Sequence, residues 1–190
     1  MAEGLDSKKR ILILVPGANA RGGITNYYSS LKNHFTLPVD YMERGSRTWP
    51  ARKGMIHEFS RIVKDTWKFY KLVRTKKYGL VQTTTAFSSL ALFRDALFII
   101  IASFYHIKII VFYRGWDVAL ANKIKKRYLK LFKWVYFRAD AVIDLSNENI
   151  KRLQSWGYSK PCYPETTVVS RQLVSGIDEE FINRRASKDP

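Results

Sequence analysis

The chain contains a single cysteine, Cys162, among 190 residues, and only three histidines, His34, His57 and His106, far apart along it. One thiol excludes an internal disulfide, and no His/Cys spacing suited to a structural metal occurs. So few thiols fit a reducing, cytoplasmic compartment. Long hydrophobic runs are also missing. The most apolar window, Leu90 to Tyr105, is broken by Arg94 and Asp95, leaving an unbroken stretch only from Ala96 to Tyr105. A helix that crosses a bilayer needs about 20 such residues, so a buried or interfacial helix is predicted there instead. The opening segment, Met1 to Lys9, is polar and lacks the apolar core of a secretory signal. Acidic residues are scarce as well: 16 Asp and Glu against 33 Lys and Arg, for a formal charge of +17. That imbalance demands an anionic partner, whether nucleic acid, anionic lipid or a phosphorylated substrate.

Core-forming residues are plentiful. Hydrophobic side chains make up 46% of the sequence and aromatics 14%, which excludes a disordered chain and suits one domain of this length. The chain is organised around residues 10–28. A short apolar run, Ile11 to Val15, ends in Pro16-Gly17, which predicts a buried parallel strand. A small, polar, glycine-bearing loop, Gly17 to Gly23, then leads to an amphipathic helix over Ile24–Phe35. Strand, glycine loop and helix N-terminus make an anion cradle, because glycine lets backbone approach a ligand and the free N–H groups of the first turn point at it. The spacing is not G-x-G-x-x-G, so the dinucleotide fingerprint is absent. A tight turn that binds nothing would use the same residues.

The alternation continues. Strands are predicted at Val39–Met42, Leu80–Thr83, Ile107–Tyr113, Ala141–Leu145 and Thr166–Val169. Helices are predicted at Ile56–Lys77, Phe87–Tyr105, Asp117 to about Arg138, and Ser146 to Trp156, closed by Gly157, with a last helix-like segment over Asp178–Arg184. Strands alternating with helices mean a Rossmann-like α/β fold, a parallel sheet with helices on both faces. Four loops then share the rim beyond the carboxyl ends of the strands, where such sheets bind ligands: Gly17–Gly23, Thr83–Ser88, Arg114–Asp117 and Ser146–Asn149. Thr84, Thr85 and Ser88 either meet ligand hydroxyls or cap a helix. Asp117 either caps the next helix or touches ligand, and Trp116 either stacks on a ligand or covers the helix start.

Two helices carry basic faces. Arg61, Lys64, Lys68 and Lys71 oppose a predicted core stripe of Phe59, Ile62, Val63, Tyr70 and Val73. Lys123, Lys126, Lys130 and Lys133 oppose Leu120, Ile124, Leu131 and Val135, with Phe132 and Tyr136 to one side and Trp134 near the boundary. Such faces suit an anionic bilayer surface, and equally an ordinary solvated helix. Nucleic acid could use the same charge, but no recognition motif occurs, and no nucleic-acid partner is expected.

Taken in order, Ile11–Val15, Gly22-Gly23 opening a helix, Tyr78-Gly79-Leu80-Val81-Gln82, Ile109–Tyr113 running into Arg114-Gly115-Trp116-Asp117, and the Ala139–Ser146 stretch form a series. It resembles the N-terminal domain of family-4 retaining glycosyltransferases of the GT-B fold. Thr166–Ser170 followed by Gly176-Ile177-Asp178 resembles the passage to their second domain. The resemblance covers nearly the whole chain and divides it into a Rossmann-like domain over 1–170 and a linker over 171–190.

The resemblance implies transfer of a sugar from a nucleotide-sugar donor, with retention and without a metal or other cofactor. It implies a lipid-linked or envelope-polysaccharide acceptor, such as those of lipopolysaccharide synthesis, and a peripheral place at the inner face of the cell membrane, held there by basic helices of this domain. Gly22 and Gly23 match the family's glycine loop, with Arg21 beside them as a phosphate contact, and Ser146 matches the serine after the fifth strand. Arg114 stands where the family often has histidine; arginine can clamp phosphate or carboxylate but cannot act as a base. Gly115 and Asp117 complete that loop. No catalytic residue is assigned. The paired glutamates and basic clamp of a C-terminal donor-binding domain are not in this sequence, so this half is expected to be inactive without that partner domain. Two other readings keep the same residues: a non-catalytic module for anionic lipid or polysaccharide, and a nucleic-acid-binding α/β protein.

Overall fold

A computed structural model describes residues 10–17, 23–32, 34–45 and 54–166. Six strands, β1 (Arg10–Pro16), β2 (Val39–Arg44), β3 (Tyr78–Phe87), β4 (Lys108–Trp116), β5 (Ala141–Asp144) and β6 (Cys162–Pro164), form one sheet. Every neighbouring pair is parallel, in the order β2-β1-β3-β4-β5-β6. The chain steps one way from β1 to β2 and the other way from β3 onward, so the strand order reverses beside β1. In an open parallel sheet a crevice lies at that reversal, outside the carboxyl ends of the strands.

The helices are α1 (Gly23–Leu31), α2 (Met55–Val73), α3 (Ser89–Phe104), α4 (Val118–Lys123), α5 (Leu129–Tyr136) and α6 (Asn147–Ser155), with a π-helical turn, Ile124–Tyr128, joining α4 to α5. Successive strand residues point to opposite faces, and two apolar clusters follow. Leu12, Leu14, Val111 and Val142 pack with Phe69 of α2, Phe98 of α3, Phe132 and Val135 of α5 and Leu153 of α6. Ile13 and Phe112 pack on the other face with Tyr27 and Tyr28 of α1. The predicted Rossmann-like sheet with helices on both faces is the observed one. Phe69 and Phe98 are fully buried with ring centroids 5.0 Å apart. Each such side chain contributes roughly 2–3 kcal/mol through burial.

Several boundaries move. β3 continues through Thr83-Thr84-Thr85 to Phe87, because these β-branched residues pair with Val111, Phe112 and Tyr113 of β4. β4 likewise includes Arg114, Gly115 and Trp116, so two predicted rim loops are strand ends. Helix α1 stops at Leu31 rather than Phe35, and α2 stops at Val73 rather than Lys77, where Lys76 turns the chain with φ +57°. The last strand is Cys162–Pro164, not Thr166–Val169. Its residues pair with Val142, Ile143 and Asp144, while Thr166 lies beyond the sheet and 167–169 outside the described residues. The Asp178–Arg184 segment and the proposed linker also lie outside them. Asp117 and Ser146 cap α4 and α6 as predicted, accepting from Leu120 N at 3.0 Å and Glu148 N at 3.2 Å. Gly157 ends α6 with φ +98°, where a side chain would be strained.

The inward stripes also differ. On α2, Ile62, Phe69 and Val73 are buried, but Phe59 and Val63 are 61% and 52% exposed. On the 118–136 helix Ile124 is followed inward by Phe132, Val135 and Tyr136, while Leu131 is exposed. The π turn explains this. It inserts one residue into the helical register, so the position two turns after Ile124 is Phe132 rather than Leu131.

Candidate anion site at the carboxyl edge of the sheet

Strand β4 and helix α1 bring two predicted site residues together. Arg114 continues β4 past Tyr113 and lays its guanidinium over the Tyr27 ring, 4.4 Å from the centroid, and near Phe112 at 5.2 Å. The β3–β4 register skips Arg114, and its contacts with Tyr27 and Phe112 put it on the face α1 covers. Gly23, the first residue of α1, is exposed, and a Cβ added there would lie 3.9 Å from Arg114 Nη2. The guanidinium therefore stands at the helix's N-terminal end. Arg114 Nη1 is buried and makes no hydrogen bond among the described residues. A buried guanidinium N–H without an acceptor costs stability unless something supplies one. Both the unused N–H and the α1 N-terminus favour an anion. Glu165, after β6, is the one acid felt here: it raises the Tyr27 hydroxyl pKa after burial does, while Arg114 opposes them.

Beside this point, Tyr28 is buried with its hydroxyl 2.7 Å from Thr84 Oγ1, and it accepts from Gln82 Nε2 at 2.7 Å. Burial pushes the Tyr28 hydroxyl up to about 12, so it remains a neutral hydrogen-bonding group. A cleft of about 320 Å³ opens between α1 and the ends of β1 and β2, lined by Pro16, Thr25, Tyr28, Ser29, Lys32 and Tyr41, among others. The Tyr41 hydroxyl is buried there without a hydrogen bond among the described residues.

The other predicted residues fall at the same edge with different roles. Thr84 and Thr85 are buried within β3 and their hydroxyls are engaged inside the protein, Thr84 with Tyr28 and Thr85 donating to Asp95 Oδ2 at 2.7 Å. They tie the strand to α1 and α3 and present no free hydroxyl to an acceptor. Ser88 precedes α3 without a side-chain cap. Gly115 is exposed, and nothing lies within 4 Å of where its Cβ would be. Trp116 stacks on Phe87, ring centroids 3.9 Å apart, and also meets Tyr113 and Trp156. Arg21 and Gly22 lie outside the described residues.

Sequence reasoning missed two buried acid sites here. Asp144, at the end of β5, accepts at Oδ1 from Ser146 N (2.8 Å) and Asn149 Nδ2 (2.9 Å), while Oδ2 is buried without a partner. Burial raises its pKa, and those hydrogen bonds oppose the shift. The second site is a network between the end of β2 and helices α2 and α3. Arg44 Nη2 donates to Thr84 O and faces Asp95 at 3.5 Å, Arg94 Nε donates to Asp95 Oδ1 at 2.8 Å, and Asp65 accepts from Gly45 N at 2.8 Å. Arg44 is 4% exposed and Asp95 fully buried. Burial pulls the Arg44 pKa down to about 10, with Asp95 opposing, so the guanidinium stays protonated at neutral pH. The Arg94-Asp95 break in an apolar window was the only signal, and what it marks is a buried ion pair within α3. Among the described residues no three His, Cys, Asp or Glu side chains cluster to hold a metal.

The predicted basic residues lie on the outside of α2 and the 118–136 helix. Lys64, Lys68, Lys71, Lys123, Lys126, Lys130 and Lys133 are exposed, whereas Arg61 is half-buried and paired with Glu58. Large apolar side chains share that surface. Trp67 on α2, Phe104 on α3 and Trp134 on α5 are more than half exposed. No helix among the described residues is long and apolar enough to cross a membrane. No protein-family model matches the sequence, and no curated protein matches it.

Proposed function

We propose that this chain is the acceptor-binding half of a membrane-associated, retaining glycosyltransferase. Paired with a donor-binding domain, it would transfer a sugar from a nucleotide-sugar to a lipid-linked or cell-envelope polysaccharide acceptor. The observation that carries the reading is the buried Arg114 Nη1, without a hydrogen-bond partner among the described residues, at the N-terminus of α1 and near the point where the strand order reverses. Such a site takes the phosphate of a lipid-linked acceptor: the fork of the guanidinium matches two phosphate oxygens, and the helix end adds N–H donors. The exposed glycine at 115 leaves backbone open to close approach by a sugar.

The exposed lysines and aromatics of α2 and the 118–136 helix support a peripheral membrane location. Each lysine near an anionic surface adds about 1 kcal/mol, and half-exposed Trp67 and Trp134 suit the headgroup level. Backbone NMR titration with a sugar 1-phosphate tests the site. Shifts are expected at Gly23, Tyr27, Arg114 and Gly115. Shifts confined elsewhere, or tighter and salt-steep binding of oligonucleotides than of sugar phosphates, would overturn the reading in favour of the nucleic-acid alternative.

A further inference from the structure

A groove of about 420 Å³ runs between α3 and the helix formed by α4, the π turn and α5. Its walls are almost wholly apolar, with Phe93, Ala96 and Ile100 on one side and Leu131 and Trp134 on the other. Phe93, Leu131 and Trp134 are each more than half exposed, so the groove is open to the outside rather than part of the core. Lys123 is the one charged residue that lines it, and no acid does. Directly after Lys123 comes the π turn, whose Lys125, Lys126 and Arg127 are all exposed. π turns are rare and concentrate at functional sites. Of these four cations only Lys123 lines the trough, whose helical wall runs from Leu120 to Tyr136 on both sides of the turn.

We propose that the groove binds one anionic phospholipid drawn from the bilayer, with an acyl chain along Ala96, Ile100 and Leu131 and the headgroup phosphate held by Lys123. The charge pattern chooses this occupant. A second copy of the chain would bring the same cations against these, an unfavourable self-pairing across a two-fold axis. An apolar peptide helix would leave Lys123 without a partner, whereas a phosphate ester supplies apolar chain and anion in the right order. Arg114 lies outside the groove, and the inference does not depend on the glycosyltransferase reading.

The test uses dihexanoyl phosphatidic acid below its micelle-forming concentration, with dihexanoyl phosphatidylcholine as the neutral control, titrated into the whole chain by calorimetry. Saturable one-to-one binding of the acidic lipid, at least about tenfold tighter than the neutral one, is expected. Ala96→Trp, which fills the groove, and Leu131→Asp, which puts a like charge in its exposed wall, should each weaken binding by at least about tenfold. Lys123→Glu should abolish the preference for the acidic lipid. Leu131→Asp lies on the surface and keeps the test decisive where Ala96→Trp fails to fold. Equal binding of both lipids, no saturation, or unchanged affinity in Leu131→Asp would overturn the proposal.

Discussion

Asp95 illustrates what a single residue does in this fold. It sits fully buried against Arg44 and Arg94 and accepts from Thr85, so its charge holds the ends of β2 and β3 to α3. Removing one partner of such a pair strands a buried charge. Asp95→Ala should therefore lower stability by roughly 3–5 kcal/mol in urea unfolding, while the apolar double variant Arg44→Met/Asp95→Leu should recover most of the loss. A loss under about 1 kcal/mol for Asp95→Ala would show the pair to be dispensable. Asp40 makes a pH prediction. Hydrogen bonds from Arg10 first, and from Tyr78, hold its carboxyl down at about 2. Its folded pKa is thus below its unfolded value of about 4. The stability it adds is present above about pH 4 and is lost as pH falls towards 2. Asp40→Asn should flatten the urea midpoint between those pH values; an unchanged acid limb would contradict the assignment.

At the scale of elements, the sequence announced most of the strands and helices because period and punctuation were clear. Ile11 to Pro16 could only be a short buried strand, and Asp117, Ser146 and Gly157 mark helix ends by local chemistry that tertiary packing did not change. Strand ends were harder to read. Thr83 to Thr85 and Arg114 to Trp116 are polar or glycine-bearing and resemble loops, yet pairing with a neighbouring strand decides their state, and no local signal reports that. The π turn was invisible for a related reason, since helical periodicity assumes a constant register. It yields a direct comparison: Phe132→Ala should cost roughly 3–5 kcal/mol and Leu131→Ala less than about 1 kcal/mol, measured by chemical denaturation. A regular helix predicts the opposite ranking. The candidate site was half legible. Glycine at a helix start and an arginine after a strand pointed to an anion, but the threonines proved internal ties, and Asp144 and the Arg44–Asp95 pair could not be separated from surface charge by sequence alone.

For the whole molecule, charge and shape act together. The excess of 17 positive charges is set partly on helices whose exposed faces also carry tryptophan and phenylalanine. Vesicles rich in anionic lipid should sediment the protein at low salt, and charge reversal at Lys64, Lys68, Lys126 and Lys130 should release it. Sedimentation that survives the reversal would place the contact elsewhere. Membrane attachment alone would also suit a lipid-binding module without a sugar site, so the acceptor site carries the account. Calorimetric titration of a sugar 1-phosphate against the same neutral sugar, in the wild type and in Arg114→Ala, tests that site most directly. The account predicts that the phosphorylated sugar binds preferentially and that Arg114→Ala weakens it by roughly tenfold to a hundredfold, the loss of a charged hydrogen-bond donor, with the neutral sugar barely affected. Equal binding of both sugars, or an Arg114→Ala protein that folds and binds as the wild type does, would contradict it.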